Sequence, residues 1–292
     1  MFGRSLLALA LLVTGCAGRG LLTDGSSVSV GTFNHGLLRR GHALPWKGEG
    51  YVVPELWRKR GSRYGTDELA FAIARAARRV RREYPGSTLG VGDLSKRGGG
   101  DSELHRSHEN GRDADLIFFA VDAKNRPVSP VNSMPRYGAD LRARSPAPTP
   151  GVVFGPFSPR RFDVKRNWAL VRALVEDPDI DVQFLFCHER LKQAMLDYAR
   201  SIGEDPEVID EAASLLHQPG DSLPHDDHLH LRIYCSSDDR PYGCVDRGPQ
   251  RWWKKRYKYM APSREPLNDG GLSSALAKLA VGPLFGLGRA AP

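Results

Sequence analysis

The sequence of 292 residues predicts an α+β fold, in which a small antiparallel sheet is flanked by helices and joined by long irregular loops. Segments with helical periodicity and segments of strand character both occur, but they do not alternate as the βαβ units of a parallel sheet would. The hydrophobic fraction of 40% is too high for a disordered chain, and four cysteines are too few for a disulfide-dense scaffold.

The clearest predicted helix begins at Thr66, whose side chain can cap it, and continues with an acidic first turn and an apolar stripe. Arginines crowd its last turn, and Pro85 and Gly86 end it. The other segments with a regular pattern are predicted as helices over 163–176, 189–200 and 206–216, and as strands over 88–94, 114–119, 182–186 and 229–234. Residues 17–60 are expected to be mostly loop, and residues 121–161, rich in Pro and Ser, to be a long irregular insertion.

The N-terminus has the pattern of a secretory signal, since Arg4 is followed by an apolar stretch over 6–13 and then by small residues. Residues 13–16 (Val-Thr-Gly-Cys) resemble a bacterial lipobox, in which Cys16 would be lipidated; a signal peptide cut a few residues later is the alternative. Ala17, rather than aspartate, follows the cysteine, as in lipoproteins kept in the outer membrane. We therefore expect a periplasmic, outer-membrane lipoprotein.

The chain is expected to divide into four parts. These are a lipoprotein signal peptide over 1–15, an anchor and linker over 16–29, one folded domain over 30–260, and a disordered tail over 261–292. No apolar run approaches the roughly 20 residues of a membrane-spanning helix, so membrane contact is expected only through the lipid.

The charge balance is basic, with 42 Lys+Arg against 34 Asp+Glu and a formal net charge of +8. Loss of the signal peptide would remove Arg4 and no acid. An exported basic protein suits an acidic polymer such as peptidoglycan, whose stem peptides bear carboxylates. Nucleic acid would also attract the charge, but export argues against that partner.

Export also places the cysteines in an oxidising compartment. Cys235 and Cys244 flank a turn-rich segment, so we predict a disulfide between them. Cys187 ends an apolar run and is expected to be a buried thiol rather than a nucleophile.

Two segments, 105–115 and 225–232, hold five of the nine histidines. In a strand, His228, His230 and Arg232 would share one face, and Asp113 and Asp115 would share a face of the preceding strand.

If these strands are neighbours, Asp115 could meet His230 across the sheet, and His108 could reach back from its loop. One carboxylate and two imidazoles leave a fourth position open, which is the composition of a catalytic zinc site. Any one of these histidines alone is better explained as a hydrogen-bonded surface or core residue. The combined H-x₆-D and H-x-H spacings favour the metal.

The segments 107–115 (SHENGRDAD) and 225–230 (HDDHLH) resemble the signature of the penicillin-insensitive murein endopeptidases. Residues 64–66 and 91–95 are similar to other segments of that family, and the resemblance covers about residues 30–250. The wider group includes lysostaphin-type and D-Ala-D-Ala metallopeptidases, whose small antiparallel sheet carries the zinc. This sequence departs from the family in its few cysteines, in the segment 121–161 and in the tail after residue 260.

The resemblance implies that His108, Asp115 and His230 bind Zn²⁺ and that His228 is the catalytic histidine. His105 and His225 match further family histidines, and the resemblance leaves open whether either contacts the metal. His228, helped by His225, would relay a proton or stabilise the oxyanion. Asp226 and Asp227 are expected to orient these imidazoles.

Arg232 is a candidate for binding a substrate carboxylate, with a plain ion pair as the alternative. The implied activity is zinc-dependent hydrolysis of the D-alanyl–meso-diaminopimelate cross-links of peptidoglycan, insensitive to penicillin because no serine is available for acylation. Three other functions stay open, namely a D,D-carboxypeptidase of the same fold, a non-catalytic cell-wall-binding lipoprotein, and a metal-storage lipoprotein.

Overall fold

The computed structural model describes residues 25–130, 132–144, 159–220 and 222–249. The expected signal peptide, Cys16 and the C-terminal tail lie outside the described residues.

The described helices follow the sequence pattern closely, with one exception. They are α1 (Glu55–Arg60), α2 (Asp67–Glu83), α3 (Val164–Val175), α4 (Glu189–Ser201) and α5 (Pro206–Leu215), with a 3₁₀ turn at Arg240–Tyr242. The Thr66 hydroxyl accepts a hydrogen bond from the Leu69 amide at 3.4 Å, so the predicted cap of α2 is confirmed. The unpredicted helix, α1, is a short segment that ends at Gly61, whose positive φ of 74° suits a left-handed cap.

The strands are mostly short. They are β1 (Val28–Thr32), β2 (His35–Arg39), β3 (His42–Ala43), β4 (Lys47–Gly48), β5 (Tyr51–Val52), β6 (Tyr64–Gly65), β7 (Leu89–Val91), β8 (Asp113–Ile117), β9 (Ala120–Asp122), β10 (Pro127–Val128), β11 (Arg136–Tyr137), β12 (Ala143–Arg144), β13 (Arg160–Phe162), β14 (Val182–Phe186), β15 (Leu216–His217) and β16 (His228–Ile233). None of the helices in the described ranges is long and apolar enough to cross a bilayer.

The main sheet has the strand order β15-β14-β16-β8-β7-β5-β4. Its four central strands pair antiparallel, whereas β15 and β5 each pair parallel with their inner neighbour. The protein is therefore α+β, as predicted, and its central antiparallel strands are those that carry the histidine and aspartate motifs.

One face of the central strands forms the core. Leu229, Leu231 and Ile233 are at most 3% exposed, and on β8 Ala114 and Leu116 are fully buried. Helices α3 and α5 contact β14, α2 contacts β5, and α2 to α5 also contact one another. Each fully buried leucine stabilises this layer by about 2 kcal/mol. The opposite face of β8 and β16 is left for polar side chains.

The expectation of irregular structure over 121–161 was wrong for the described part of that segment. Strands β9, β10 and β13 form a small sheet, and β11 pairs with β12. Tertiary packing explains the difference, because the rings of Phe118, Tyr137 and Phe162 lie 5.0 to 6.1 Å apart and anchor these strands. The lead-in also contains a regular β1–β2 hairpin.

The structure contains a disulfide between Cys235 and Cys244. Cys187 is a fully buried free thiol, and burial raises its pKa to about 12, which makes it inert.

A buried acidic group lies where the β1–β2 hairpin meets the start of α2. Asp239 is 2% exposed and accepts a hydrogen bond from the Ser29 amide at 3.0 Å. Burial raises its pKa from 3.8 to about 7, and the nearby carboxylates of Glu68 and Asp67 add to the rise against the Ser29 hydrogen bond and the charge of Arg112.

The substitution Asp239→Asn should change how stability depends on pH. Asp239 binds a proton below about pH 7 in the folded chain but only below 3.8 when unfolded, so the folded state holds more protons in between. The contribution of Asp239 to the free energy of unfolding therefore falls as pH rises from about 4 to 7, by up to about 4 kcal/mol. Asparagine keeps the acceptor for Ser29 and removes this fall.

Urea unfolding at pH 4.5 and at pH 8 measures the effect. Asp238→Asn, at the exposed neighbouring position, is the matched control and should keep the wild-type dependence. An equal fall in Asp239→Asn and wild type would contradict the assignment.

Candidate metal centre

The centre is built on the register between β16 and β8. In this antiparallel pair His230 lies directly opposite Asp115, and Arg232 lies opposite Asp113. Residues directly opposite share a face, so the side chains of both pairs stand on the side of the sheet away from the apolar core. The predicted meeting of Asp115 and His230 across the sheet is confirmed.

His108 reaches the same place from the loop before β8. Its backbone has a positive φ of 69°, which is uncommon for a side chain with a Cβ. The loop is held in this shape by the Glu109 amide, which donates to the Phe33 carbonyl at 3.1 Å, and by Gly111 with a φ of 82°. Such backbone strain collects at functional sites, where the surrounding structure maintains it.

Three imidazoles converge on one oxygen, Asp115 Oδ1. His108 Nε2 and His228 Nε2 each lie 3.3 Å from it, and His230 Nδ1 lies 3.2 Å from it. Donor atoms bound at about 2.0–2.1 Å around a tetrahedral zinc ion lie about 3.3–3.4 Å apart. The separations of these donors therefore fit a shared cation.

The hydrogen bonds missing from the site support the same conclusion. Both ring nitrogens of His108 and Asp115 Oδ1 are buried and have no hydrogen-bond partner in the described part of the chain. His108 is 1% exposed and Asp115 is 2% exposed, so bulk water cannot supply the missing hydrogen bonds. Buried polar atoms without a partner are costly, and a cation bound between them would satisfy them. Nitrogen and oxygen donors without thiolates suit zinc.

His228 is placed differently from the other two histidines. Its Nδ1 lies 2.6 Å from Asp227 Oδ1, which orients the ring, as predicted for Asp227. Its side chain is 18% exposed, against 1% for His108 and 7% for His230, so it borders the opening of the site. Burial opposes its protonation, but the carboxylates of Asp115 and Asp227 outweigh burial and raise its pKa.

His225 lies behind His228, with the two ring centroids 5.3 Å apart. Its Nδ1 is buried without a hydrogen-bond partner in the described ranges. Burial, followed by the charges of His228 and His230, lowers its pKa to about 3, so this imidazole is neutral at neutral pH.

His105 lies on the other side of Asp115. Its Nδ1 is 3.9 Å from Asp115 Oδ2, and its Nε2 is 3.1 Å from Asp93 Oδ2. Asp93 also pairs with Arg60 at 2.7 Å. Two groups of side chains in the described ranges have metal-ligand spacing, with donor atoms within 4.8 Å of one another: His105, His108 and Asp115 form one, and His225, His228 and His230 form the other. His105 is therefore near enough to assist the centre without contacting Asp115 Oδ1.

Asp113 supports His230 from behind. His230 Nε2 lies 2.8 Å from Asp113 Oδ1, so a proton on Nε2 is donated to the carboxylate and the lone pair of Nδ1 faces the site. Burial opposes ionisation of Asp113, but Arg232 and His230 outweigh it and hold its pKa well below the usual value. A carboxylate behind a metal-binding histidine fixes its orientation and raises its affinity for the metal.

Arg232 and Asp226 each have a partner that bears on the role expected from the sequence. Arg232 is 5% exposed, donates to Asp113 at 2.6 Å and stacks on Phe33 at 3.6 Å, which is the ion pair that the sequence left as the alternative to a substrate contact. Asp226 does not orient an imidazole, because its carboxylate is bound by Arg136 at 2.8 and 2.9 Å. In both cases the partner comes from a distant part of the chain.

Three residues that support the centre, namely Asp93, Asp113 and Phe33, had no role predicted from the sequence. Asp113 could have been found from its alternation with Asp115 on a strand. Asp93 lies in the segment 91–95, which is similar to the family, but nothing in that segment indicates that Asp93 contacts His105. Nothing in the local sequence indicates that Phe33 stacks on Arg232.

Fold and site together define an α+β protein with a candidate cation centre of histidines and one aspartate on its central sheet. The family model described as penicillin-insensitive murein endopeptidase matches residues 29–252, and the chain belongs to this family.

Curated relatives agree with this assignment. The chain is 26% identical over 221 residues to a penicillin-insensitive murein endopeptidase of Haemophilus influenzae, covering 74% of this chain and 66% of that protein. It is 26% identical over 215 residues to the protein of the same name from Escherichia coli O1:K1, covering 73% of this chain and 69% of that protein.

The substitution Asp113→Asn should weaken zinc binding by about 10- to 100-fold, because the neutral amide no longer supports His230 as the carboxylate does. Competition with a chromophoric chelator measures the affinity. Asp101→Asn, an exposed position in the preceding loop, is the control and should bind zinc as the wild type does. Equal affinities in a folded Asp113→Asn protein would contradict the role of Asp113.

Proposed function

We propose that the protein is a zinc-dependent endopeptidase that hydrolyses the peptide cross-links of peptidoglycan. The observation that carries the proposal is the convergence of His108, His228 and His230 on Asp115 Oδ1 at 3.2 to 3.3 Å. Membership of a family of murein endopeptidases supports the substrate class.

His108, Asp115 and His230 are the proposed metal ligands. A zinc ion held by them supplies Lewis acidity that polarises a carbonyl and lowers the pKa of water. His108 and His230 present one nitrogen each, and Asp113 keeps His230 in the tautomer that leaves Nδ1 free. The three side chains are at most 7% exposed, so the donors are held in a dry and rigid setting.

His228 is the proposed general acid and base. It is the most exposed of the three converging histidines, and Asp227 holds its Nδ1 so that Nε2 points toward Asp115. A proton carried on Nε2 can pass to the leaving amine, or stabilise the negative charge that develops on the substrate oxygen. His225, neutral and adjacent, fills the space behind this ring and limits its movement.

The cross-link is proposed to be the D-alanyl–meso-diaminopimelate bond. This assignment rests on the resemblance of the two histidine motifs to those of the family. Insensitivity to penicillin follows from the proposed chemistry, because hydrolysis by metal-activated water uses no nucleophilic serine that a β-lactam could acylate. A D,D-carboxypeptidase would instead release free D-alanine from uncross-linked pentapeptides, which product analysis distinguishes.

Variants of the site test the proposal on purified cross-linked muropeptides. His108→Ala and Asp115→Ala should lose both bound zinc and hydrolysis, since each removes a ligand. His228→Ala should lose hydrolysis but keep most of the zinc, because three ligands remain. Zinc content by elemental analysis and product release by chromatography give the two readouts.

His35→Ala, at an exposed position on β2, is the matched control and should behave as the wild type. Full hydrolysis by chelator-treated, zinc-free protein would overturn the proposal that the protein is a metallopeptidase. Complete loss of zinc from His228→Ala would make His228 a ligand instead.

The protein is further proposed to be a periplasmic lipoprotein of the outer membrane, as the lipobox over 13–16 indicates. Cells given labelled palmitate should label the wild type, whereas Cys16→Ser should stay unlabelled and leave the membrane fraction. Cys187→Ser, at the buried free thiol, should keep the label. Labelling of Cys16→Ser would contradict lipidation at this residue.

A further inference from the structure

Arg232 is the arginine next to the proposed metal ligands, but its guanidinium is paired with Asp113. It is therefore not available to bind the acidic groups of the proposed substrate. We propose that four arginines on one face of β11, β12 and β13 bind the carboxylates of peptidoglycan stem peptides beside the metal centre. This inference rests on the proposed function for the identity of the substrate. The four residues, called the arginine face below, are Arg136, Arg142, Arg144 and Arg161.

The register places these side chains together. Arg136 lies directly opposite Arg144 in the β11–β12 pair, and Arg142, just before β12, forms a bridge with Arg161, the middle residue of β13. Arg142 and Arg144 are two residues apart in one extended segment, so all four side chains are on the same side. The other side carries Tyr137 and Phe162, which are 4% and 3% exposed and pack into the core.

The backbone under the arginine face is rigid. Tyr137 and Phe162 pack edge-to-face with each other and with Phe118, at centroid distances of 5.0 to 6.1 Å. The Phe162 amide donates to the Leu141 carbonyl at 2.8 Å, which ties β13 to the segment before β12. The arginines are therefore held at set spacings before a ligand arrives, which reduces the entropy lost on binding.

The protein itself balances only part of the charge on this face, and Arg161 Nη2 donates a hydrogen bond to the neutral Asn125 Oδ1. Like charges directly opposite across strands destabilise a sheet, and here two arginine pairs face each other. Arg136 is paired with Asp226, and Arg144 has a 3.4 Å contact with the exposed Asp140. Neither Arg142 nor Arg161 has a carboxylate within ion-pair distance in the part of the chain that the structure describes. Guanidinium groups match carboxylates in a two-point geometry.

The arginine face borders the metal centre. The Tyr137 amide donates to the Asp226 carbonyl at 2.8 Å, and Asp226 lies two residues before His228. Met134, just ahead of β11, also lies near Asp115, since a Cβ added to Gly92 would be 2.6 Å from Met134 Cε and 3.1 Å from Asp115 Cβ. A stem peptide extending from the scissile bond can therefore reach the arginines.

An anionic membrane surface is the other polyanion that the compartment offers, but the face lacks the apolar groups that insert into lipid. The large hydrophobic residues that are exposed in the described ranges all lie outside β11 to β13, at Leu37, Leu104, Ile202, Leu223, Tyr242 and Val245. Charge without apolar anchors suits a soluble, carboxylate-bearing polymer.

The double variant Arg142→Gln/Arg161→Gln tests the inference. For cross-linked muropeptides its KM should rise about fivefold with kcat unchanged, because exposed ion pairs contribute modestly to binding in the ground and transition states alike. Binding to intact sacculi, measured by co-sedimentation, should weaken in parallel, and the difference from wild type should shrink at high salt.

The control Lys59→Gln/Arg200→Gln removes the same charge from exposed ion pairs on α1 and α4, and should bind as the wild type does. Unchanged KM and sacculus binding in the arginine variant would overturn the inference. So would a loss of binding only to vesicles of anionic phospholipid.

Sacculus binding by His108→Ala, which lacks a metal ligand, separates this inference from the proposed function. One outcome is that the wild type shows no hydrolysis, while the arginine substitutions still weaken sacculus binding when added to His108→Ala. In that case the proposed chemistry fails and the arginine face stands. If hydrolysis proceeds and binding is unaffected, the arginine face fails alone.

Discussion

The centre depends on one register, the pairing of β16 with β8 that sets His230 opposite Asp115. A shift of β16 by one residue would turn His230 to the helix-covered face, away from Asp115, and bring the leucines of β16 to the polar face. Because Leu229 and Leu231 are at most 1% exposed, the apolar core itself enforces the register. The same burial that stabilises the sheet therefore positions the proposed ligands.

A row of contacts then extends from the sheet to the N-terminal hairpin. Asp113 receives His230 and Arg232, and Arg232 stacks on Phe33, which lies in the turn between β1 and β2. The Phe33 carbonyl in turn accepts from Glu109, next to His108 with its positive φ. The hairpin thus braces two of the proposed ligands. The buried charges of Asp113 and Arg232 are stable because they pair with each other, and removal of one would leave the other unpaired.

The two arginine assignments belong together. Arg232, inside the centre, forms an ion pair with Asp113. The arginine face lies outside the centre and borders β16 through the ion pair between Arg136 and Asp226. The proposed substrate has several carboxylates and one scissile bond, and it would use both a small polar centre and a wider basic surface. The segment that was expected to be irregular supplies that surface because three aromatic rings order it.

The sequence alone determined the α+β class, the cap of α2 at Thr66, and the alternation that puts His228 and His230 on one polar face. These features are local, since they follow from helical and strand periodicity. Only the tertiary structure decided that Arg232 pairs with Asp113, that Asp226 pairs with Arg136, and that the described parts of 121–161 form strands. Such partners are joined by strand register and packing over about a hundred residues of chain, and no local pattern records them.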